Sequence, residues 1–333
     1  MRTILLGDVH GCLDELRDLL SLLALTRDDV LVSLGDLVDK GPYSAEVVQH
    51  LRDLRYTGHN VVLVEGNHEE KHRRVRRALL HDPKNVASFR NAQELLRVNS
   101  HLSPDDVAFL ETAVLFHTIP EHRAVVVHGG ILPDMNPRSP GTPGGRVPPG
   151  TLSLQAMPRP ERDTWMRALR VRHVTGADQV KVTIEFDVDP EAEGAAAGKL
   201  RCAGEDWFAE PGDAISEYAV GPLLAARRGT PSRGAVFVKR TVRAKGSMVA
   251  LGEETEADPF WAEVYDGRFG HAFYGHTPYT DRATPMKWEH ATGIDLGCVH
   301  GGRLCAAVLE VGKEPVYVSV PARQKYATSF YDE

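Results

Sequence analysis

Asp, His and Asn recur in this chain inside five short glycine-bounded strings. They are GDVHG at Gly7–Gly11, GDLVDKGP at Gly35–Pro42, GNHEE at Gly66–Glu70, HGG at His128–Gly130 and GHTP at Gly275–Pro278. Carboxylates mixed with imidazoles suit manganese, iron, zinc or cobalt better than an all-oxygen calcium cage. Such a cation polarises a bound substrate oxygen and makes water nucleophilic at neutral pH. One Asp-x-His after a strand is ordinarily a capped turn. Five strings of metal-ligand types, all at strand ends, are not explained that way.

The elements that must carry these strings are legible as apolar runs. Thr3–Leu6, Val30–Leu34, Val61–Val64, Ala124–Val127 and His271–Tyr274 read as strands, each ending where a string begins. Leu13, Leu16, Leu20 and Leu23 mark a helix, and Val47, Val48, Leu51 and Leu54 a second with Ser44 as N-cap. A basic helix is expected from about Glu69, and Ser103-Pro104-Asp105-Asp106 reads as a helix start. This alternation predicts an α/β domain with a largely parallel sheet, whose carboxyl edge is the ligand edge. Strands at Ile294–Leu296, Leu304–Val311 and Val316–Val320 close it.

From Pro133 to Pro160 the chain is dense in Pro and Gly, a loop composition. Strands are expected at Val180–Val188 and Ala235–Val242, with an acidic stretch at Glu185–Glu193 and a small-residue tip at Gly194–Gly198. The division expected is a catalytic domain of 1–132 with 260–333 and an inserted cap of 133–259. Because the insert separates His128 from His276, it reads as a lid. Its Trp165, Trp207 and Phe208, with Trp261 near its end, either stack a nucleobase or form a small core of their own.

The order GD-x-HG, GD-x-VD-x-G, GNHE, HGG and a late GH resembles the calcineurin-like metallophosphoesterases, and more narrowly the phosphoprotein-phosphatase superfamily. The resemblance covers about Met1–Ile131 and Phe269–Val311. It implies an α/β/β/α sandwich with a two-metal centre at one edge. Carried over by motif, one metal takes Asp8, His10 and a bridging Asp36; the other shares Asp36 and adds Asn67, His128 and His276. His68 is then the general acid and Asp39 its orienting partner, since a carboxylate raises and aims an imidazole. Manganese is the cation expected first, with iron, zinc or cobalt as alternatives.

The family usually has Arg where this chain has Lys40. Lys brings a point charge without the planar fork, so phosphate contact is expected with altered geometry. Two basic groups offer compensation. WMRALRVRHV (Trp165–Val174) is similar to the arginine stretch after HGG in symmetrical diadenosine tetraphosphatases, making Arg170 and Arg172 candidate phosphate ligands. KHRRVRRALL (Lys71–Leu80) reads as a charged outer helix face with Val75 and Leu79 inward. In GIDLGCVHGGRL (Gly293–Leu304), Asp295 is expected to hold its loop, Cys298 to pack, and His300 to have no role in recognition.

LRCAGEDWF (Leu200–Phe208) and the arginine stretch favour hydrolysis of dinucleoside polyphosphates such as diadenosine tetraphosphate, with capped RNA ends a neighbouring possibility. GHTP and GDLVDKGP suit a protein serine/threonine phosphatase, and a metal-bearing scaffold without catalysis is the remote alternative. The chain has 333 residues, with 39 basic against 46 acidic side chains and a net charge of −7. That argues against general nucleic-acid binding, which needs a basic surface. No apolar run reaches the ~20 residues of a membrane span, nothing reads as a secretory leader, and four cysteines show no zinc or disulfide spacing. A cytoplasmic setting and a phosphorylated nucleotide or phosphoprotein substrate are expected.

Overall fold

The computed structural model describes residues 1–133, 135, 164, 166–176, 179–186, 198–202, 205–209, 214–216, 236–243 and 245–328, with side chains described outside 177–244. The Pro/Gly-rich run at 136–160, Trp165, the acidic residues 187–193, the tip at 194–197 and the side chains of Trp207 and Phe208 lie outside them. The chain divides into two compact units, Met1–Arg172 with Phe260–Glu333, and His173–Pro259. Residues 166–172 group with the first unit, since Leu169 packs with Leu115 there.

In the first unit the chain runs β1 (Thr3–Leu6), α1 (Leu13–Leu23), β2 (Val30–Ser33), α2 (Ser44–Tyr56), β3 (Asn60–Leu63), α3 (Asn67–His81), α4 (Ala92–His101), α5 (Pro104–Leu110), β4 (Phe116–Ile119) and β5 (Ala124–Val127). The second unit holds β6 (Gln179–Phe186), β7 (Gly198–Cys202), β8 (Glu205–Ala209), β9 (Ala214–Ser216) and β10 (Val236–Arg243). It forms an antiparallel sheet β10-β6-β9 and a hairpin β7-β8. The first unit resumes with β11 (His271–Tyr274), β12 (Met286–Lys287), β13 (Ala291–Gly293), β14 (Arg303–Leu309) and β15 (Val316–Pro321).

Two five-stranded sheets result, β15-β14-β1-β2-β3 and β12-β13-β11-β5-β4. Both are mixed rather than largely parallel. β1, β2 and β3 run parallel, but β14 and β15 add on antiparallel; β5, β11 and β13 run parallel, with antiparallel β4 and β12 at the edges. Strand side chains alternate between faces, and here both faces are buried. Ile4 and Leu6 join Leu16 of α1 and Val47 of α2 in one core, while Leu5 and Val32 meet Val126 and Phe273 of the other sheet in a second. This is an α/β sandwich with helices on its flank.

Differences from the sequence expectations have local causes. Ser44 is the first residue of α2 and does not cap it, because its Oγ accepts a hydrogen bond from Asp39 N at 2.9 Å. Ser103 does cap α5, reciprocally with Asp106. No strand forms at Ile294–Leu296; β13 ends at Gly293, and the following residues turn to bring Asp295 Oδ1 onto Gly297 N at 2.8 Å. Leu79 is 42% exposed, not inward, whereas Val75 is buried. The helix face is not simply solvated either: Arg73 is buried against Glu65 and Glu111, and Arg76 reaches Glu111 at 2.6 Å.

Trp261 is a core residue, not a base-stacking one. It is fully buried, stands edge-on to Tyr274 at 5.0 Å, and its indole fills the space where a Gly130 side chain would begin. Trp261→Ala is therefore expected to cost about 3–5 kcal/mol of stability, read as a lowered urea midpoint at unchanged slope.

Candidate metal centre

The centre is built from the turns that follow β1, β2, β3, β5 and β11. After β1, the backbone N–H groups of Val9 and His10 donate to Asp36 O at 3.1 and 2.8 Å, tying the first string to the second. Eight non-glycine residues among those described adopt positive φ, and five of them, His10, Asp36, Asp39, Lys40 and His276, belong to the strings. Such backbone persists only where its surroundings enforce it, and it collects at functional sites. Gly66 is required for another reason: a Cβ there would run into Asp36.

Asp36 is the hub. His10 Nε2 lies 3.4 Å from its Oδ2, His128 Nε2 3.4 Å from its Oδ1, and His68 Nε2 4.0 Å from its Oδ2. The donor atoms of His10, Asp36 and His68 all fall within 4.8 Å of one another, as do those of Asp36, His128 and His276. Asn67 Oδ1 sits 2.9 Å from both His128 Nε2 and His276 Nδ1. Asp8 Oδ2 accepts from His276 N at 2.8 Å, while its Oδ1 is buried with no hydrogen-bond partner.

These residues fit a divalent cation on their own evidence. His10 and His128 donate Nδ1–H to the carbonyls of Val38 and Leu34 at 2.9 and 2.8 Å, which aims both Nε2 atoms at Asp36. That arrangement fixes a metal-binding tautomer. Burial disfavours charge on His128, but Asp36 and Asp8 outweigh it and push its pKa up to about 10. Asp8 is pushed well above the carboxylate range by burial and by Asp295. Against burial, His128 and His68 hold Asp36 well below it. The carboxylates of Asp8, Asp36 and Asp295 crowded here are negative charge that a bound cation would offset.

His68 and Asp39, expected as acid and orienting partner, lie in contact. His68 Nδ1 donates to Asp39 Oδ2 at 2.7 Å, leaving Nε2 facing the cluster. The other carboxylate oxygen, Asp39 Oδ1, accepts from His72 Nε2 at 2.7 Å, and Asn99 Nδ2 of α4 donates to His72 Nδ1 at 2.7 Å. Burial works against the Asp39 anion, but the two imidazoles hold its carboxyl far below the usual range.

Lys40 Nζ stands 3.5 Å from His10 Nε2, beside the cluster. Arg172 Nη2 donates to His276 O at 3.2 Å, and Arg170 Nη2 pairs with Glu70 Oε2 at 2.8 Å and reaches Asn67 O at 3.4 Å. Cys298 is buried, and His300 Nδ1 donates to Ala327 O at 3.2 Å.

A family model for calcineurin-like phosphoesterases matches residues 1–175. The chain belongs to that family. That family uses divalent metals, and the imidazole and carboxylate groups around Asp36 are those that could hold one. The chain is 32% identical over 138 residues to the symmetrical bis(5'-nucleosyl)-tetraphosphatase of Buchnera aphidicola subsp. Baizongia pistaciae (strain Bp), covering 40% of this chain and 45% of that one. Identity is 34% over 135 residues to the protein of the same name from Psychromonas ingrahamii, with the same coverage. The chain thus spans under half the length of the curated relatives it matches. A solved structure, provisionally described as a diadenosine tetraphosphatase, shares the fold at a TM-score of 0.51 and 21% identity, over 96% of this chain and 93% of that one. Among the described residues of this phosphoesterase, no helix is long and apolar enough to cross a membrane.

Two residues that the sequence reading left without roles belong here. His72 has a visible signal, since it stands one helical turn after His68. Glu69, inside GNHEE, accepts from the backbone N–H groups of Asp36, Leu37 and Gly66 at 2.8, 2.8 and 3.1 Å, and so sets the Asp36 turn. Glu69→Ala leaves those donors without an acceptor. It is expected to weaken manganese binding about 10–100-fold, measured by competition titration against a chelating dye.

Proposed function

We propose that this phosphoesterase hydrolyses the phosphoanhydride bridge of dinucleoside polyphosphates such as diadenosine tetraphosphate, with a pair of divalent cations sharing Asp36. The observation that carries the reading is the convergence on Asp36 of two donor groups that have only that carboxylate in common. In this reading His10 and Asp36 of the first group hold one cation together with Asp8, His68 being kept as the acid, and Asp36, His128 and His276 of the second hold the other together with Asn67. When bound, the cations polarise the phosphoryl group and supply a water that is nucleophilic at neutral pH.

This chain's own residues do the rest. His68 has its Nδ1 engaged by Asp39, so Nε2 is the nitrogen available to protonate the leaving oxygen. Asp39 keeps the ring in that orientation. Lys40 and Arg172 place positive charge beside the cluster, where the equatorial oxygens of the phosphoryl group gain charge during transfer. Arg170, paired with Glu70, steadies the Asn67 backbone it reaches. The names of the relatives support the substrate class.

Manganese-loaded protein offered diadenosine tetraphosphate and a phosphoserine peptide is expected to release ADP promptly and to turn the peptide over poorly. Fast peptide turnover without ADP release would replace this reading with a protein phosphatase.

A further inference from the structure

Two cysteines that show no zinc spacing in the sequence are brought together by the fold. Cys12 is the N-cap residue of α1, and Glu15 follows it by three positions, the spacing that puts two side chains on one helix face. Cys298 arrives from the turn that follows β13. All three residues are 1% exposed, and one ligand atom from each, two sulfurs and a carboxylate oxygen, lies within 4.8 Å of the others. The Cys12 thiol makes no capping bond to α1 and reaches His10 O at 3.9 Å. None of the three belongs to the Asp36 centre.

Glu15 adds a second observation. Its Oε1 accepts from Arg323 N and from the Tyr326 hydroxyl, both at 2.8 Å. Its Oε2 is buried with no hydrogen-bond partner among the described residues. A buried carboxylate oxygen without a donor is costly, and such an atom calls for an ion or a water. The two sulfurs beside it favour the ion, because thiols are weak hydrogen-bond partners and strong ligands of soft metals.

We propose that Cys12, Glu15 and Cys298 form a metal site separate from the Asp36 centre, and that it takes zinc. Zinc accepts cysteine sulfur and carboxylate oxygen in one tetrahedral set, and three protein ligands leave its fourth position to water. Binding releases the two thiol protons to solvent. Beside Cys12 and buried, the Cys298 thiol has its pKa pushed up, so a cation with high affinity for sulfur is needed to displace its proton. Manganese and magnesium prefer oxygen ligands, which sorts different cations to the two sites. Zinc here ties together the turn that carries His10, the loop that carries Asp295 and, through Glu15 Oε1, the segment from Arg323 to Tyr326.

Cobalt(II) replaces zinc in tetrahedral sites and gives a charge-transfer band when bound to sulfur. The Asp36 centre contains no sulfur and cannot produce that band, so the readout is specific and independent of turnover. Metal-free full chain, kept reduced with a phosphine, is titrated with cobalt and then with zinc. The native protein is expected to develop the band and to lose it as zinc displaces cobalt. Cys12→Ser/Cys298→Ser is expected to show no band and to retain one zinc fewer per chain, whereas Cys305→Ser, at a buried thiol outside the group, keeps both. Glu15→Gln is expected to weaken zinc by at least the tenfold that loss of an outer partner costs. No band in the native chain, or a band that persists in the double serine variant, would overturn the site. Should the serine variant fail to fold, the native titration and Glu15→Gln still decide, and unchanged zinc affinity in Glu15→Gln also overturns it.

Discussion

Asp36→Asn is expected to abolish useful turnover, lowering kcat/KM for p-nitrophenyl phosphate by about a thousandfold while the protein still folds. Asp36 is the carboxylate that both donor groups share, and its two oxygens face different imidazoles. An amide offers one oxygen and no charge. Metal-assisted phosphoryl chemistry draws several kcal/mol of charge stabilisation from its cations; losing about 4 kcal/mol at 1.36 kcal/mol per decade gives the stated factor. Manganese content after gel filtration should fall together with activity. Full metal content with full activity would remove Asp36 from the centre.

His68→Asn carries the second large effect, and it depends on the leaving group. General acid catalysis contributes about 10²–10⁴-fold when the leaving oxygen is a poor one. An alkyl phosphate should therefore lose about a thousandfold in kcat. For p-nitrophenyl phosphate, whose phenolate departs without a proton, the loss should be about tenfold or less. A plot of log kcat against leaving-group pKa should steepen in the variant. An unchanged slope would assign His68 to positioning alone. Asp39→Asn should show the same pattern in weaker form, since it loses the anion that aims the ring.

The sequence exposed the site more fully than the architecture around it. Asp8, His10, Asp36, Asn67, His128 and His276 were nameable through the resemblance of their five strings to a known family, and each follows an apolar run that becomes a strand, whose end puts side chains at one edge. Their distances to one another were not readable, because convergence depends on which strands are neighbours. Strand direction was likewise hidden: β14 has the same apolar pattern whether it runs parallel or antiparallel to β1. Ser44 looked like a cap until Asp39 claimed its hydroxyl. Trp261 was grouped with the insert's aromatic residues as a possible base-stacker, yet it packs against Tyr274 and Gly130 of the catalytic unit. Asn99 carried no signal at all, for its partner His72 is 27 positions away and α4 buries only Leu95 and Val98.

Asn99 also changes what counts as neutral variation. Through His72 and Asp39 it is linked to the His68 ring that we propose as the general acid, which would give a helix with no recognisable string a route to the reaction rate. Two chains identical in all five glycine-bounded strings can therefore differ in how well they expel a basic leaving oxygen. Ranking such enzymes by motif alone would miss the difference, whereas comparing the residue that faces His72 from the next helix would reveal it.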